Sequence, residues 1–168
     1  ALAAAQYQGP MYIRLTGGLN VPMVYKEDYE FVIGKAITLR NECDITIFAN
    51  GSMVHSALVA SDILKEKGIV ARVVNMHTVK PLDEQCVIEC ANTSKLLVSV
   101  EEHSAIGGLG GAIAETITKE SCSPPLLRLG IADEFKHAGD YNHLLEANEL
   151  LPAQIAGNIE KRYNTLLS

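Results

Sequence analysis

Short, continuous apolar runs alternate along the chain with longer stretches in which apolar residues recur every three or four positions. The pattern is regular over residues 31–168 and irregular before them. Asp44-Ile45-Thr46-Ile47-Phe48-Ala49 is β-branched and uncharged after its first residue, which predicts a strand covered on both faces. Val54, Ala57, Leu58, Ser61 and Leu64 then fall at helical intervals. Lys65-Glu66-Lys67-Gly68 closes that helix with cations and a glycine cap. The cycle repeats: residues 69–76 predict a second buried strand, and Pro81 opens a helix reaching Asn92, with Asp83 and Glu84 in its first turn. Residues 95–100 predict a third strand, the glycines from Gly107 lead into a helix through Ile113 and Ile117, and residues 126–129 predict a fourth strand. Two helices follow, over 141–148 and 152–166. Phe31 to Arg40 reads as a weak extended segment broken by Gly34. Met11 to Leu15 reads as a strand entered from the Gly9-Pro10 turn, and a loop follows it.

Strands alternating with helices of this length imply right-handed crossovers and a mostly parallel sheet between helix layers. Such sheets carry functional loops at the carboxyl ends of their strands. Two stretches fit that position: Asn50-Gly51-Ser52, and Glu101-Glu102-His103 followed by Gly107-Gly108-Leu109-Gly110-Gly111. Two carboxylates and an imidazole suit acid–base work. Successive strand residues point to opposite sides, however, so only one glutamate faces a given cleft. The other reading has both glutamates capping helices or bonding loop backbone, and both readings stand. The glycine cluster, at a helix start, offers unpaired amides to an anion, but it does not follow G-x-G-x-x-G, because Ile113 occupies the third position; it reads rather as close approach to the sheet or to a partner subunit. Ser52 lacks the second glycine of a nucleophile elbow and reads as an N-cap. His55, His77, His137 and His143 show no metal-ligand spacing and read as surface or interface residues.

Composition narrows the function classes. The 168 residues are 48% hydrophobic and 20% charged, enough for a full core without disulfide or metal. The net charge of -6 and the lack of any Lys/Arg run argue against nucleic acid and anionic membranes as partners. No apolar run approaches the ~18 residues of a transmembrane helix. Ala1 to Gln8 has neither the basic region nor the length of a signal peptide, and no initiator Met, so the chain reads as processed or as a fragment. Cys86 and Cys90, four apart, read as small buried side chains on one helix face, and reduced thiols point to the cytoplasm. No complete catalytic set emerges.

Several segments, in order, resemble the C-terminal domain of transketolases. They are the run from Asp44 to Ser52, then Val74-Asn75-Met76-His77-Thr78-Val79-Lys80-Pro81-Leu82-Asp83, then Val98 to His103 with the glycine cluster and Ala112-Ile113-Ala114-Glu115. The resemblance implies an α/β/α sandwich whose five-stranded sheet has order 1-3-2-4-5, with strand 1, from Phe31 to Arg40, antiparallel. It implies that residues 1–30 are a remnant of a preceding pyrimidine-binding domain and linker, and that residues 31–168 form the C-terminal domain. It further implies a parent enzyme that transfers two-carbon ketol units between sugar phosphates with thiamine diphosphate and Mg²⁺. Those cofactors would be held outside this chain, which would be inactive alone and would serve scaffolding and dimer contact. Its partner would be a second copy or an N-terminal thiamine-binding subunit. No catalytic, cofactor-binding or metal residue is assigned. Gly51, Ser52, Glu101, Glu102 and His103 form the candidate ligand crevice, and Gly107, Gly108, Gly110 and Gly111 the candidate subunit interface. Gly17 stands where the family usually carries a phosphate-clamping Arg, and glycine cannot replace a guanidinium. Two alternatives remain: a free-standing ligand-sensing module, and the matching part of a 2-oxo acid dehydrogenase β subunit or deoxyxylulose-phosphate synthase.

Overall fold

The computed structural model describes residues 1–16, 22–119 and 123–167. A short helix, α1 (Leu2–Gln6), precedes the sheet strands β1 (Ile37–Arg40), β2 (Ile45–Ala49), β3 (Ala71–Asn75), β4 (Leu96–Ser104) and β5 (Leu126–Ile131). The remaining helices are α2 (Met53–Glu66), α3 (Glu84–Thr93), α4 (Leu109–Ile117), α5 (Tyr141–Ala147) and α6 (Pro152–Leu167). The sheet order is β1-β3-β2-β4-β5, as the family resemblance implied. Only β1 runs antiparallel to its neighbour, β3; the other pairs are parallel.

The two faces of the sheet are divided by strand periodicity. Ile45, Ile47 and Ala49 of β2 and Leu96, Val98 and Val100 of β4 pack with Met53, Val54, Ala57 and Leu64 of α2. Ile155 and Ile159 of α6 and Leu145 of α5 complete that layer. Phe48, Val74 and Leu97 point the other way, onto Val87 and Cys90 of α3 and Leu109, Ile113 and Ile117 of α4. Every residue of β2 is buried, which matches its lack of charge. In register, Ala49 lies between Asn75 of β3 and Val100 of β4, so the carboxyl ends of these three strands form one rim.

Five local expectations are corrected. Met11 to Leu15 forms no strand: its residues are exposed, and a strand needs a neighbour to take its backbone hydrogen bonds. The weak segment from Phe31 is a strand only over its last four residues, β1. The helix expected from Pro81 starts at Glu84, because Asp83 caps it by accepting from the Cys86 amide at 3.2 Å. Asp83 also accepts from the Ala36 amide at 2.9 Å and so ties the segment before β1 to α3. Ser52 itself has helical dihedrals and makes no capping bond, so its hydroxyl is not the amide-accepting N-cap expected. His77, expected at the surface or an interface, is half-buried within this chain, with its ring 4.2 Å from that of Phe31.

Candidate functional site

β4 continues four residues beyond Val100, and this extension carries Glu101, Glu102 and His103 to the rim. Alternation sends Glu101 toward the α3/α4 layer. Glu101 is 1% exposed, and its carboxylate accepts from the Leu109 amide at 2.7 Å and the Gly110 amide at 2.8 Å. Those are among the first amides of α4, which have no partner within the helix. Glu101 therefore caps α4, and a carboxylate at that end also suits the helix dipole.

The glycines explain how a helix start comes so close. A Cβ on Gly108 would clash with the Glu101 carboxylate, 2.7 Å from its Cδ, and would sit 2.8 Å from the Ser104 carbonyl oxygen. A Cβ on Gly110 would lie 2.5 Å from Ser99 Oγ and 2.9 Å from Arg128 Cδ. Gly107 has φ +74, in the left-handed region. Gly111 would meet nothing within 4 Å and faces outward. Of the four, Gly108 and Gly110 are turned to this chain's own sheet, while Gly107 and Gly111 are open.

Glu102 points to the opposite layer. Its Oε2 accepts from Ser52 Oγ, at the entrance to α2, and from Tyr141 OH, at the start of α5, at 2.7 Å. Its backbone oxygen accepts from Arg14 Nη1 at 2.9 Å. Burial, chiefly, raises the Tyr141 hydroxyl above its ordinary value, and the neighbouring Glu102 carboxylate adds to that against the Ser52 hydrogen bond. His103 is exposed, with Nδ1 3.0 Å from the Ser104 carbonyl oxygen. Gly51 is exposed at φ +55 and completes the β2 side of the rim.

The structure thus brings Ser52 and Glu102 into contact, and it separates Glu101 from Glu102 by the thickness of the sheet. Tyr141 and Arg14 were not anticipated; no spacing links residues 14, 52, 102 and 141. The Ser52–Glu102–Tyr141 network holds two hydroxyl protons on one carboxylate and contains no imidazole, so it lacks the base that activates a serine nucleophile. Two grooves lie elsewhere. One of about 360 Å³ runs between β5 and α6, by Leu127, Leu129 and Arg162. One of about 290 Å³ runs over Arg72, Cys86 and Cys90.

A five-stranded sheet in this order, helices on both faces and a rim at its topological switch point define a doubly wound α/β domain. The family profile described as "Transketolase, C-terminal domain" matches residues 34–155, and the chain belongs to that family. It is 44% identical over 151 residues to the 6-deoxy-6-sulfo-D-fructose transketolase subunit SqwH of a Clostridium species, covering 89% of this chain and 46% of that protein. It is 41% identical over 159 residues to a 1-deoxy-D-xylulose-5-phosphate synthase of a Synechococcus species, covering 93% of this chain and 24% of that one. The solved structure of a split gene transketolase, an inactive β4 tetramer, superposes with a TM-score of 0.76 at 37% identity, over 84% of this chain and 45% of that chain. The chain spans about half the length of the first curated relatives it matches.

The residues present do not fit thiamine diphosphate. Glu101 is committed to α4 and Glu102 to two hydroxyls. Among the described residues, no group of three or more His, Cys, Asp or Glu side chains is placed to hold a metal ion. Among the same residues, no helix is long and apolar enough to cross a membrane. The position expected for the phosphate-binding Arg, Gly17, lies outside the described residues.

Proposed function

We propose that this chain is the C-terminal part of a transketolase-like enzyme, of one chain or divided between two, and that its own work is assembly. The whole enzyme would transfer a two-carbon ketol unit between sugar phosphates, with thiamine diphosphate and Mg²⁺ bound by domains outside this chain. The observation that carries the reading is that both strand-end glutamates are spent on internal bonds in a domain of this family. Residues 1–30 would belong with the preceding pyrimidine-binding domain and linker. Leu2, Tyr12 and Leu15 there are each more than four-fifths exposed, apolar surface suited to a neighbour. Gly107 and Gly111 are the outward members of the glycine cluster and would meet a second subunit, while Gly108 and Gly110 serve the contact with the sheet.

The test is reconstitution. The chain alone should show no ketol transfer. Combined with the thiamine-binding half of its own enzyme, it should assemble and become active. Gly111→Glu should fold and fail to assemble; unchanged assembly would remove the interface role. Activity of the chain alone would overturn the whole reading. The alternative, a free-standing sensor using the crevice between Gly51-Ser52 and Glu101-His103, finds that crevice bridged by the Ser52–Glu102–Tyr141 bonds.

A further inference from the structure

Three thiols gather around one guanidinium at the opposite end of the sheet from the rim. Arg72 is the second residue of β3. Its Nη1 donates to Cys90 Sγ at 3.3 Å and to Thr93 Oγ1 at 3.0 Å, both on α3. Cys86 stands one helical turn before Cys90 on the same helix. Cys43, in the turn before β2, has its sulfur 3.4 Å from the Thr93 carbonyl oxygen and 3.2 Å from Ser94 Oγ. Arg72 pairs with no carboxylate among the described residues, and its Nε is buried without a partner. Among the described residues, the acceptors of its guanidinium are therefore the Cys90 sulfur and the Thr93 hydroxyl. The groove of about 290 Å³ over the cluster is lined by both Cys86 and Cys90, together with Thr38, Asn41, Arg72 and Thr93.

We propose that Cys90 is a modification site: a sulfur set against the Arg72 guanidinium and lining the groove, which hydrogen peroxide entering the groove converts to a sulfenic acid. The Cys90 sulfur attacks one peroxide oxygen. The S–O bond forms, the O–O bond breaks, and hydroxide leaves; the attacked oxygen keeps its hydrogen. Sulfur is oxidised by two electrons and the peroxide is reduced. A guanidinium beside the sulfur favours the thiolate, which is the nucleophile. The neighbouring Cys86 thiol and then Arg72 hold the Cys90 thiol below the ordinary cysteine value against the opposing effect of burial, while Cys86 is pushed up. The titratable and charged groups around the sulfur are Arg72 from β3, Cys86 and Glu89 from α3, and Cys43. Cys90 is only 2% exposed, so access is by the groove and favours a reagent as small as peroxide. Cys86 does not resolve the product. Residues four apart on a helix keep their Cβ atoms about 5–6 Å apart, whereas a disulfide needs about 3.5–4.5 Å.

The experiment treats the intact protein with hydrogen peroxide, unfolds it in dimedone, and maps the labelled cysteines by peptide mass spectrometry. At pH 7 Cys90 should be labelled on the order of tenfold faster than Cys43. Its rate should rise with pH through an inflection below the ordinary thiol value. Unfolding in urea before the peroxide step should abolish the difference. Arg72→Met should slow Cys90 by a similar factor and Arg72→Lys should restore much of it. If Arg72→Met does not fold, the pH profile of the unaltered protein decides. Cys90 reacting no faster than Cys43, an inflection at or above 8, a disulfide as first product, or a folded Arg72→Met with undiminished rate would each overturn the proposal.

Discussion

Truncating Glu101 would leave the amides of Leu109 and Gly110 buried with no acceptor. Each such amide costs about 1–3 kcal/mol. Glu101→Ala should therefore lower stability by roughly 2–6 kcal/mol, read as a drop in the urea midpoint at unchanged slope. Gly108→Ala should be similarly harmful, because the added Cβ meets the same carboxylate, whereas Gly111→Ala, in open space, should gain a few tenths to about 1 kcal/mol of helix propensity. His77 gives the pH dependence at this scale. Burial lowers it below the usual 6.5, against a weaker opposing pull from the Lys35 backbone, so the folded protein favours the neutral ring. A group depressed on folding contributes stability that is complete above its unfolded value and is lost as pH falls from there toward the folded value. The unfolding midpoint should drop as pH falls below 6.5, and His77→Gln should reduce that slope. A parallel pH profile in the variant would show that His77 carries none of it. Strand alternation read from the chain was enough to part Glu101 from Glu102. It could not name Tyr141 or Arg14 as partners, because those contacts join residues 39 and 88 positions away.

At the level of elements, the strands with no charge and the helices with glycine or proline punctuation were legible, since burial on both faces leaves a continuous apolar run. Boundaries governed by side-chain bonding were not. Asp83 looks like an ordinary acidic first-turn residue, yet its two oxygens also bridge two elements. Asp83→Ala should cost about 1–3 kcal/mol and raise amide exchange at Ala36 and Cys86 together. Exchange rising at Cys86 alone would mean that the bridge to Ala36 contributes nothing. Met11 to Leu15 misled for a different reason: an apolar run entered from a turn describes a strand's side chains and says nothing of who takes its backbone bonds.

For the whole molecule, the sheet order followed from the family resemblance and the layer assignment from periodicity, while the use of the rim did not follow from either. A rim of two carboxylates, a serine and an imidazole looks chemical in one dimension. Folded, its carboxylates are consumed by a helix start and two hydroxyls. Glu102→Ala should then leave catalysis by the assembled enzyme unchanged when assembly is saturated, and shift only the thermal midpoint, by a few degrees at most. A selective fall in turnover under those conditions would return the rim to the active site.

The Glu101 clasp also bears on the order in which the chain comes together. It joins positions only eight and nine apart, so closing it costs little chain entropy. The bond between β1 and β3 spans more than thirty residues, from Ile37 to Asn75 at its widest. The corner from β4 into α4 can therefore form while the edge strand is still free, and it gives the remaining strands a fixed template on which to pair. In a refolding experiment pulsed with deuterium, the Leu109 and Gly110 amides should gain protection ahead of those in β1.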